Sequence, residues 1–420
     1  MTADRAASLA EAPWLRAGAL PRLFDALDGD GEEARVIGGA VRNALIGAPI
    51  GDIDIATTAL PEEVIRRVEA QGFKAVPTGI AHGTLTVVVD GAPFEVTTLR
   101  EDVETFGRHA RVVFGRDWAA DAARRDFTIN ALSLSRDGTV HDPVGGLADI
   151  AARRVRFIGE PGQRIAEDYL RILRFFRFQA FYGEGRPDAE GLAACIRGRA
   201  GLDTLARERV RMEMMKLVVG PHAAPTLATM SEAGILGQLL AGIGYLASFE
   251  MTVKIEAVLG LAPDAARRLA ALAAWIVEDA DRLLARLRLS GAEHARIRSV
   301  ADRWWRIDPA SEREGRALLY RLGEGAFTDR VIVAWARSAA AAHDHVWRAV
   351  ATLPRRWSPP AFPVKAEHLI RRGVARGPAL GRALAAMEEA WIAADFPQGE
   401  AALAALVDET VAAAAKNQKD

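Results

Sequence analysis

Residues 35–57 read Arg35-Val36-Ile37-Gly38-Gly39-Ala40-Val41-Arg42-Asn43-Ala44-Leu45-Ile46-Gly47-Ala48-Pro49-Ile50-Gly51-Asp52-Ile53-Asp54-Ile55-Ala56-Thr57, and this stretch decides the fold. A β-rich run, Arg35 to Ile37, enters two glycines. A helical pattern, Ala40 to Ile46, follows and is stopped by Gly47 with Pro49 just beyond. A second β-rich run, Ile53 to Ala56, comes next. Working outward, Pro61 to Gln71 reads as a helix stopped by Gly72, and Thr84 to Val89, Asp90-Gly91 and Phe94 to Leu99 read as a β-hairpin, because Asp-Gly between apolar runs suits a tight two-residue turn. These signals predict an α/β (α+β) unit with a small mixed sheet and helices packed on it. After residue 150 the strand signals nearly vanish and Ala-, Leu- and Arg-rich helical periodicity runs onward. Breaks at Gly183 to Pro187, Gly220-Pro221, Pro309 and Pro354 to Pro363 divide that remainder into three all-α parts. The expected organisation is 1–150, 151–220, 221–355 and 356–420.

The 420 residues, 50% hydrophobic and 26% charged, have the composition of an ordinary globular protein of two or more domains. A net charge of -1 excludes a polycation that coats nucleic acid by bulk charge. The average hides a gradient: Ala151 to Lys216 holds 14 basic and nine acidic residues, so positive charge gathers there. Lys occurs at only six positions, and 48 of the 54 basic residues are Arg, whose planar fork suits phosphate; a GC-rich coding bias explains the excess equally well. The longest apolar run, Leu269 to Val277, falls far short of the ~20 residues of a membrane span. The first residues, MTADRAASLAEAP, lack a long apolar segment, and the single Cys195 excludes an internal disulfide, so no membrane contact and a cytoplasmic location are expected.

Three constellations carry chemistry. In the first, Gly38 and Gly39 let the backbone approach a ligand at a helix N-terminus that favours phosphates, and Arg42 adds a charged fork. Asp52 and Asp54, two apart in a strand, share one face with Ile53 turned to the core, a pair of hard oxygen ligands for Mg²⁺. Glu95, on a neighbouring strand, is the natural third carboxylate. Each piece alone is common in turns; their order makes them specific. The second constellation is Arg124-Arg125-Asp126-Phe127, an Arg pair for a triphosphate beside a carboxylate for a ribose hydroxyl. Read blandly, it is a solvated charge cluster. The third is Glu167-Asp168-Tyr169-Leu170-Arg171 with Arg174 and Arg177. Asp168 and Arg171, at i and i+3, are neighbours if one helix carries both. Ordinary intrahelical pairing is one reading. The other is base recognition: a carboxylate beside a guanidinium complements the amino donor and ring-nitrogen acceptor of cytosine and adenine, and clashes with uracil and guanine.

The ordered runs GGAVRNALIG, GDIDIAT, HGTLTVVVDGAPFEVTTLR, RRDFTINAL, HDPVGGLADI and EDYLRILRFFRF resemble the class II nucleotidyltransferases of the polymerase β superfamily, the CCA-adding tRNA nucleotidyltransferases and bacterial poly(A) polymerases. The resemblance is dense from about residue 15 to 220. It implies a catalytic head followed by helical neck, body and tail. It also implies Mg²⁺ on Asp52 and Asp54 with Glu95 assisting, and nucleotide contacts from Gly39, Arg42, Arg125, Asp168, Arg171, Arg174 and Arg177, to which the residues themselves add Gly38 and Asp126. The expected reaction is untemplated transfer of CMP, CMP and AMP from CTP and ATP to the tRNA 3′ end. The segment Thr78 to Thr84, the strand Phe94 to Leu99 with Arg100, and Gly373 to Gly381 resemble CCA-adding enzymes more than poly(A) polymerases. Poly(A) addition from ATP alone, and split CC-only or A-only addition, are the alternatives. Asn43, where relatives often carry Asp, and Phe106, where an acidic residue is common, depart from the pattern, the latter near a segment linked to the switch from C to A.

Outside the family, a glycosyltransferase also uses Asp-x-Asp but needs neither Arg125-Asp126 nor Asp168-Arg171, and a non-catalytic RNA-binding protein needs no carboxylate set. Three further motifs read blandly: His343-Asp344-His345 as a solvated helix patch, Cys195 as a small core residue, and Trp304-Trp305 as partly buried core rather than an RNA stacking platform.

Overall fold

The computed structural model describes residues 9–80, 83–106 and 109–416, and the chain forms two compact units, residues 1–241 and 242–420. Among the described residues the first unit is built on nine strands: β1 (Ala34–Ile37), β2 (Asp54–Thr57), β3 (Lys74–Gly79), β4 (Thr84–Val89), β5 (Ala92–Thr98), β6 (Arg100–Phe106), β7 (His109–Phe114), β8 (Ser133–Leu134) and β9 (Val140–His141). Seven of them make one sheet in the order β3-β4-β5-β2-β1-β8-β9, and β6 and β7 pair separately. The sheet is mixed, since β2 and β5 run parallel while its other pairings are antiparallel. The Asp90-Gly91 turn joins β4 to β5 as the sequence predicts: both residues have positive φ, 51° and 81°, the conformation that lets a two-residue loop follow the strand twist.

Alternation places Leu85, Val87 and Val89 on one face of the sheet, buried. The helices Ala19–Leu27 and Pro61–Ala70 cover that face with Leu23, Phe24, Leu27, Val64 and Val68. Each such side chain contributes about 1.5–3 kcal/mol. The opposite face carries a continuous row fixed by strand register, because directly opposed residues point the same way: Thr86, Glu95, Asp54, Ile37, Ser133 and His141 on β4, β5, β2, β1, β8 and β9.

Beyond residue 141 the named elements are helical. An isolated bridge between Phe127 and Phe157 and a ring ladder, Phe127 to Phe157 at 4.8 Å and Phe157 to Phe175 at 5.5 Å, fasten the segment after Asp126 to the helix Leu170–Tyr182. Cys195 is fully buried, a core residue whose thiol burial pushes well above its ordinary range.

In the second unit the apolar run from Leu269 lies inside the helix Ala265–Ala273 and the turn after it, with Leu269 to Ala274 completely buried. Beside it Glu256, 1% exposed, accepts from Arg267 and Arg268 at 2.8 and 2.7 Å. Trp304 is half-buried and donates its indole N–H to Trp275 O, whereas Trp305 is exposed. Asp344 caps the helix His345–Ala351 by accepting from Val346 and Trp347 N–H, which accounts for the His-Asp-His motif. The helix Pro378–Ala393 starts directly after Gly377, so Gly373 to Gly381 spans a helix start. No helix among the described residues is long and apolar enough to cross a membrane.

Candidate active site

Gly38 ends β1 in a conformation of positive φ, 68°, and the helix Gly39–Ile46 begins immediately behind it. No side chain caps that helix start, so its first N–H groups face outward and favour an anion. A cleft of about 560 Å³ opens there, lined by Gly38, Gly39, Arg42, Asp54, Arg125, Asp126, Asn130, Asp168, Leu170, Arg171, Arg174, Arg177, Phe178 and Arg209. It joins the Gly-Gly turn, the Arg-Arg-Asp segment and the start of the helix Leu170–Tyr182. Of the twelve sequence-predicted positions, those outside the lining are Asp52 and Glu95, and both adjoin Asp54 electrostatically.

The carboxylates differ from expectation in one respect. β2 begins at Asp54, so Asp52 precedes the strand, exposed, and Ile53 is only half-buried. Strand alternation therefore does not align the Asp-x-Asp pair; Asp54 and Glu95, register partners on parallel strands, are the two carboxylates that share a face by construction. Burial raises the Asp54 carboxyl above its ordinary range, and the charges of Glu95 and Asp52 raise it further, against Arg125. Crowded hard oxygens of this kind fit a divalent cation. Among the described residues no three or more His, Cys, Asp or Glu form a closed metal cage. An open set of one or two carboxylates, completed by substrate phosphates, is the pattern that suits Mg²⁺.

The arginines are held in place by partners that sequence alone does not reveal. Arg42 is 6% exposed; its guanidinium donates to Asn130 Oδ1, to Asn43 Oδ1 and, at 2.7 Å, to the Tyr182 hydroxyl, and lies 3.9 Å from the centre of the Tyr182 ring. Asn43 in turn donates to Pro49 O, so it serves the turn into Asp52-Ile53-Asp54. Arg125 is paired to Asp121 at 3.0 Å, and although burial works to raise the Asp121 carboxyl, Arg125 and Arg124 outweigh it and hold it low. Asp126 accepts from Phe127 N–H and from Arg174 Nε at 2.6 Å, so in this structure it orients Arg174. Arg177 donates to Glu213 at 2.6 Å and lies over Phe178.

The Asp168-Arg171 pair is also rearranged. Asp168 sits in extended backbone between the helices Pro161–Glu167 and Leu170–Tyr182, not on a shared helix face. Its Oδ1 accepts from Leu170 N–H and its carboxylate is paired with Arg209 at 2.6 Å, while Arg171 pairs with Glu167 and donates to Arg164 O. Both still line the cleft. Sequence reading missed Arg209, Asn130 and Tyr182. The local signal for Arg209 is faint: one of several arginines in Arg207-Glu208-Arg209-Val210-Arg211, a helix start like many others. Of the segments that resemble CCA-adding enzymes, Ala81 and His82 lie outside the described residues, as does the side chain of Phe106.

Known proteins resemble this chain in sequence and in fold. Residues 34–156 match the family described as the poly A polymerase head domain, and residues 188–245 match a probable RNA- and SrmB-binding site of polymerase A. The Bacillus stearothermophilus CCA-adding enzyme, solved in complex with CTP, superposes with a TM-score of 0.70 at 28% identity over 92% of this chain and 96% of that one. The CCA-adding enzyme of Leuconostoc citreum is 40% identical over 52% of this chain and 53% of its own length. The mitochondrial CCA tRNA nucleotidyltransferase 1 of Mus musculus is 34% identical over 86% of this chain and 83% of its own. A likeness that runs through both units, not the head alone, places the chain in the CCA-adding tRNA nucleotidyltransferase family.

Proposed function

We propose that this protein adds CMP, CMP and AMP, from CTP and ATP, to the 3′ end of tRNA without a template, releasing pyrophosphate at each step. The observation that carries the proposal is the convergence in one cleft of an anion-favouring Gly-Gly turn, the Asp54 carboxylate and a base-sized array of Asp168, Arg171 and Arg174.

Asp54 and Asp52, with Glu95 beside them, would hold Mg²⁺, which when bound supplies charge neutralisation at the phosphates and activation of the attacking hydroxyl. Gly38, Gly39 and Arg125 bind the triphosphate, and Arg42 holds the turn through Asn43 and Asn130. Asp168, oriented by Arg209, presents its acceptor oxygens to the exocyclic amino group of C or A, and Arg171 donates to the ring nitrogen beside it. Asp126 fixes Arg174 at the cleft wall. The helical regions 151–220, 221–355 and 356–420 serve as neck, body and RNA-binding tail behind a catalytic head at 1–150. A cytoplasmic site of action fits the lone, buried thiol of Cys195.

The test is incubation of tRNA lacking its last three nucleotides with CTP, with ATP, or with both, in Mg²⁺ or in chelator. The proposal requires two added nucleotides with CTP, three with both, and none in chelator. An ATP-only ladder without a fixed stop would establish poly(A) synthesis, and a stop after CC with both nucleotides would establish a split activity.

A further inference from the structure

Three consecutive carbonyls of the Arg-Arg-Asp segment are held from the helical side. Arg124 O and Arg125 O accept from Arg164 Nη2, the latter at 2.8 Å, and Asp126 O accepts from Ile158 N–H at 3.1 Å. Arg164 lies in the last turn of the helix Pro161–Glu167; its side chain is 13% exposed and is not among those lining the nucleotide cleft. The other arm of the same guanidinium, Nη1, donates to Glu167 Oε2 at 2.5 Å. That oxygen also accepts from Arg171 Nη1, which donates in addition to Arg164 O at 2.6 Å.

Arg164 therefore bridges two groups that do line the cleft, Arg125 and Arg171. It binds the backbone of the first and shares a carboxylate with the second. The link is stiff, because a planar guanidinium keeps its outer nitrogens at a fixed angle and charge-assisted bonds are strong. Arg164 Nε is buried with no hydrogen-bond partner among the described residues, so the side chain is placed for what its two outer nitrogens hold and not to satisfy every donor. Among the described residues Arg171 makes both of its side-chain bonds through Nη1, which leaves Nη2 and Nε to meet a base. Arg124 closes the helix Trp118–Ala123, and a cation on its carbonyl would serve as an ordinary helix cap. A cap alone needs neither Glu167 nor Arg171.

We propose that Arg164 is a positioning residue that couples base reading to triphosphate placement. A complementary base holds Arg171, and through Glu167 and Arg164 the backbone of Arg125 is held with it; a mismatched base that displaces Arg171 displaces Arg125 as well. The proposal rests on the nucleotidyl-transfer reading. It puts part of the discrimination into the rate of transfer, beyond what nucleotide binding supplies.

The test is addition of the first nucleotide by the full-length protein to tRNA lacking its last three nucleotides, with CTP or UTP alone, kcat and KM being measured for each. In the unaltered protein kcat for CTP is expected to exceed kcat for UTP by at least about tenfold. Arg164→Met, which keeps an apolar stem and removes the donors, is expected to lower kcat for CTP about tenfold, kcat for UTP less than about twofold, and to change KM for CTP less than about threefold. A residue that only capped the helix end would lower both kcat values alike, so an unchanged ratio of the two overturns the proposal. An unaltered protein whose preference for CTP lies entirely in KM overturns it too. Should Arg164→Met fold poorly, Arg164→Lys supplies a second readout, because one ammonium nitrogen then replaces two nitrogens that face different partners. With the wild-type melting temperature, Arg164→Lys is still expected to lower the kcat ratio at least about threefold, and an undiminished ratio refutes the coupling. Absence of all incorporation by the unaltered protein would instead count against the nucleotidyl-transfer reading itself.

Discussion

Arg209 grips Asp168 across 41 residues of chain, its Nη2 donating to Oδ2 at 2.6 Å and its Nη1 to Oδ1 at 3.3 Å. The carboxylate proposed to read the base is thus aimed by a second helix, because its own backbone lies in an extended break between two helices. A base-reading group needs fixed direction more than it needs charge: discrimination comes from leaving the wrong base unpaired.

If that orientation is what selects C and A, Arg209→Ala lowers the preference for CTP over UTP, measured as the ratio of kcat/KM values, by about tenfold. Arg209→Lys keeps the charge but not the fork and should recover only part of it. An unchanged ratio in a folded Arg209→Ala protein would show that Asp168 needs no clamp.

Asp54 is half-buried among like charges, so its folded-state affinity for a proton exceeds that of the unfolded chain. The sign follows: the metal-free fold is favoured below the ordinary carboxylate range and loses that advantage as pH rises through the elevated value. Asp54→Asn removes the repulsion and should raise the melting temperature of the metal-free protein at neutral pH while lowering turnover by at least about a hundredfold. Added Mg²⁺ should stabilise the unaltered protein and not the variant. Calorimetry with and without Mg²⁺ checks both.

Arg42 has little left to offer a phosphate, since Asn43, Asn130 and Tyr182 occupy its guanidinium. Arg42→Lys keeps the charge yet loses the fork and the ring contact, and should lower kcat/KM for CTP by about tenfold. Tyr182→Phe, which retains the ring and loses only the hydroxyl, should cost less than a third of that factor; steady-state kinetics on the three proteins decides the order.

Glu256 is enclosed by two guanidinium groups in the core of the second unit. Glu256→Ala removes the buried carboxylate that both guanidinium groups share, which costs about 3–5 kcal/mol. The unfolding transition of that unit should move to distinctly lower denaturant, while activity below the transition persists. A shift no larger than that of an exposed substitution would mean that water compensates the pair.

The Gly-Gly turn, the Asp90-Gly91 hairpin and the change to helix after residue 150 were legible because local geometry dictates them: positive φ, alternation and capping act over a few residues. What sequence could not supply was partnership at a distance. Asp52 and Asp54 read as a strand pair by spacing, yet the strand starts at Asp54, and the true same-face partner is Glu95, brought there by a parallel pairing. Likewise Asp168 and Arg171 read as helical neighbours until the helix break is seen, and Tyr182 meets Arg42 across 140 residues. Spacing rules presuppose continuous elements, and both errors fall where an element starts or breaks.

The most direct measurement is the sequence of product 3′ ends after the protein acts on tRNA lacking its last three nucleotides, with CTP, ATP, UTP and GTP present together at equal concentration. The proposed function predicts ends that read CCA and stop, with U and G rare. Runs of A, or U and G incorporated as readily as C, would contradict it.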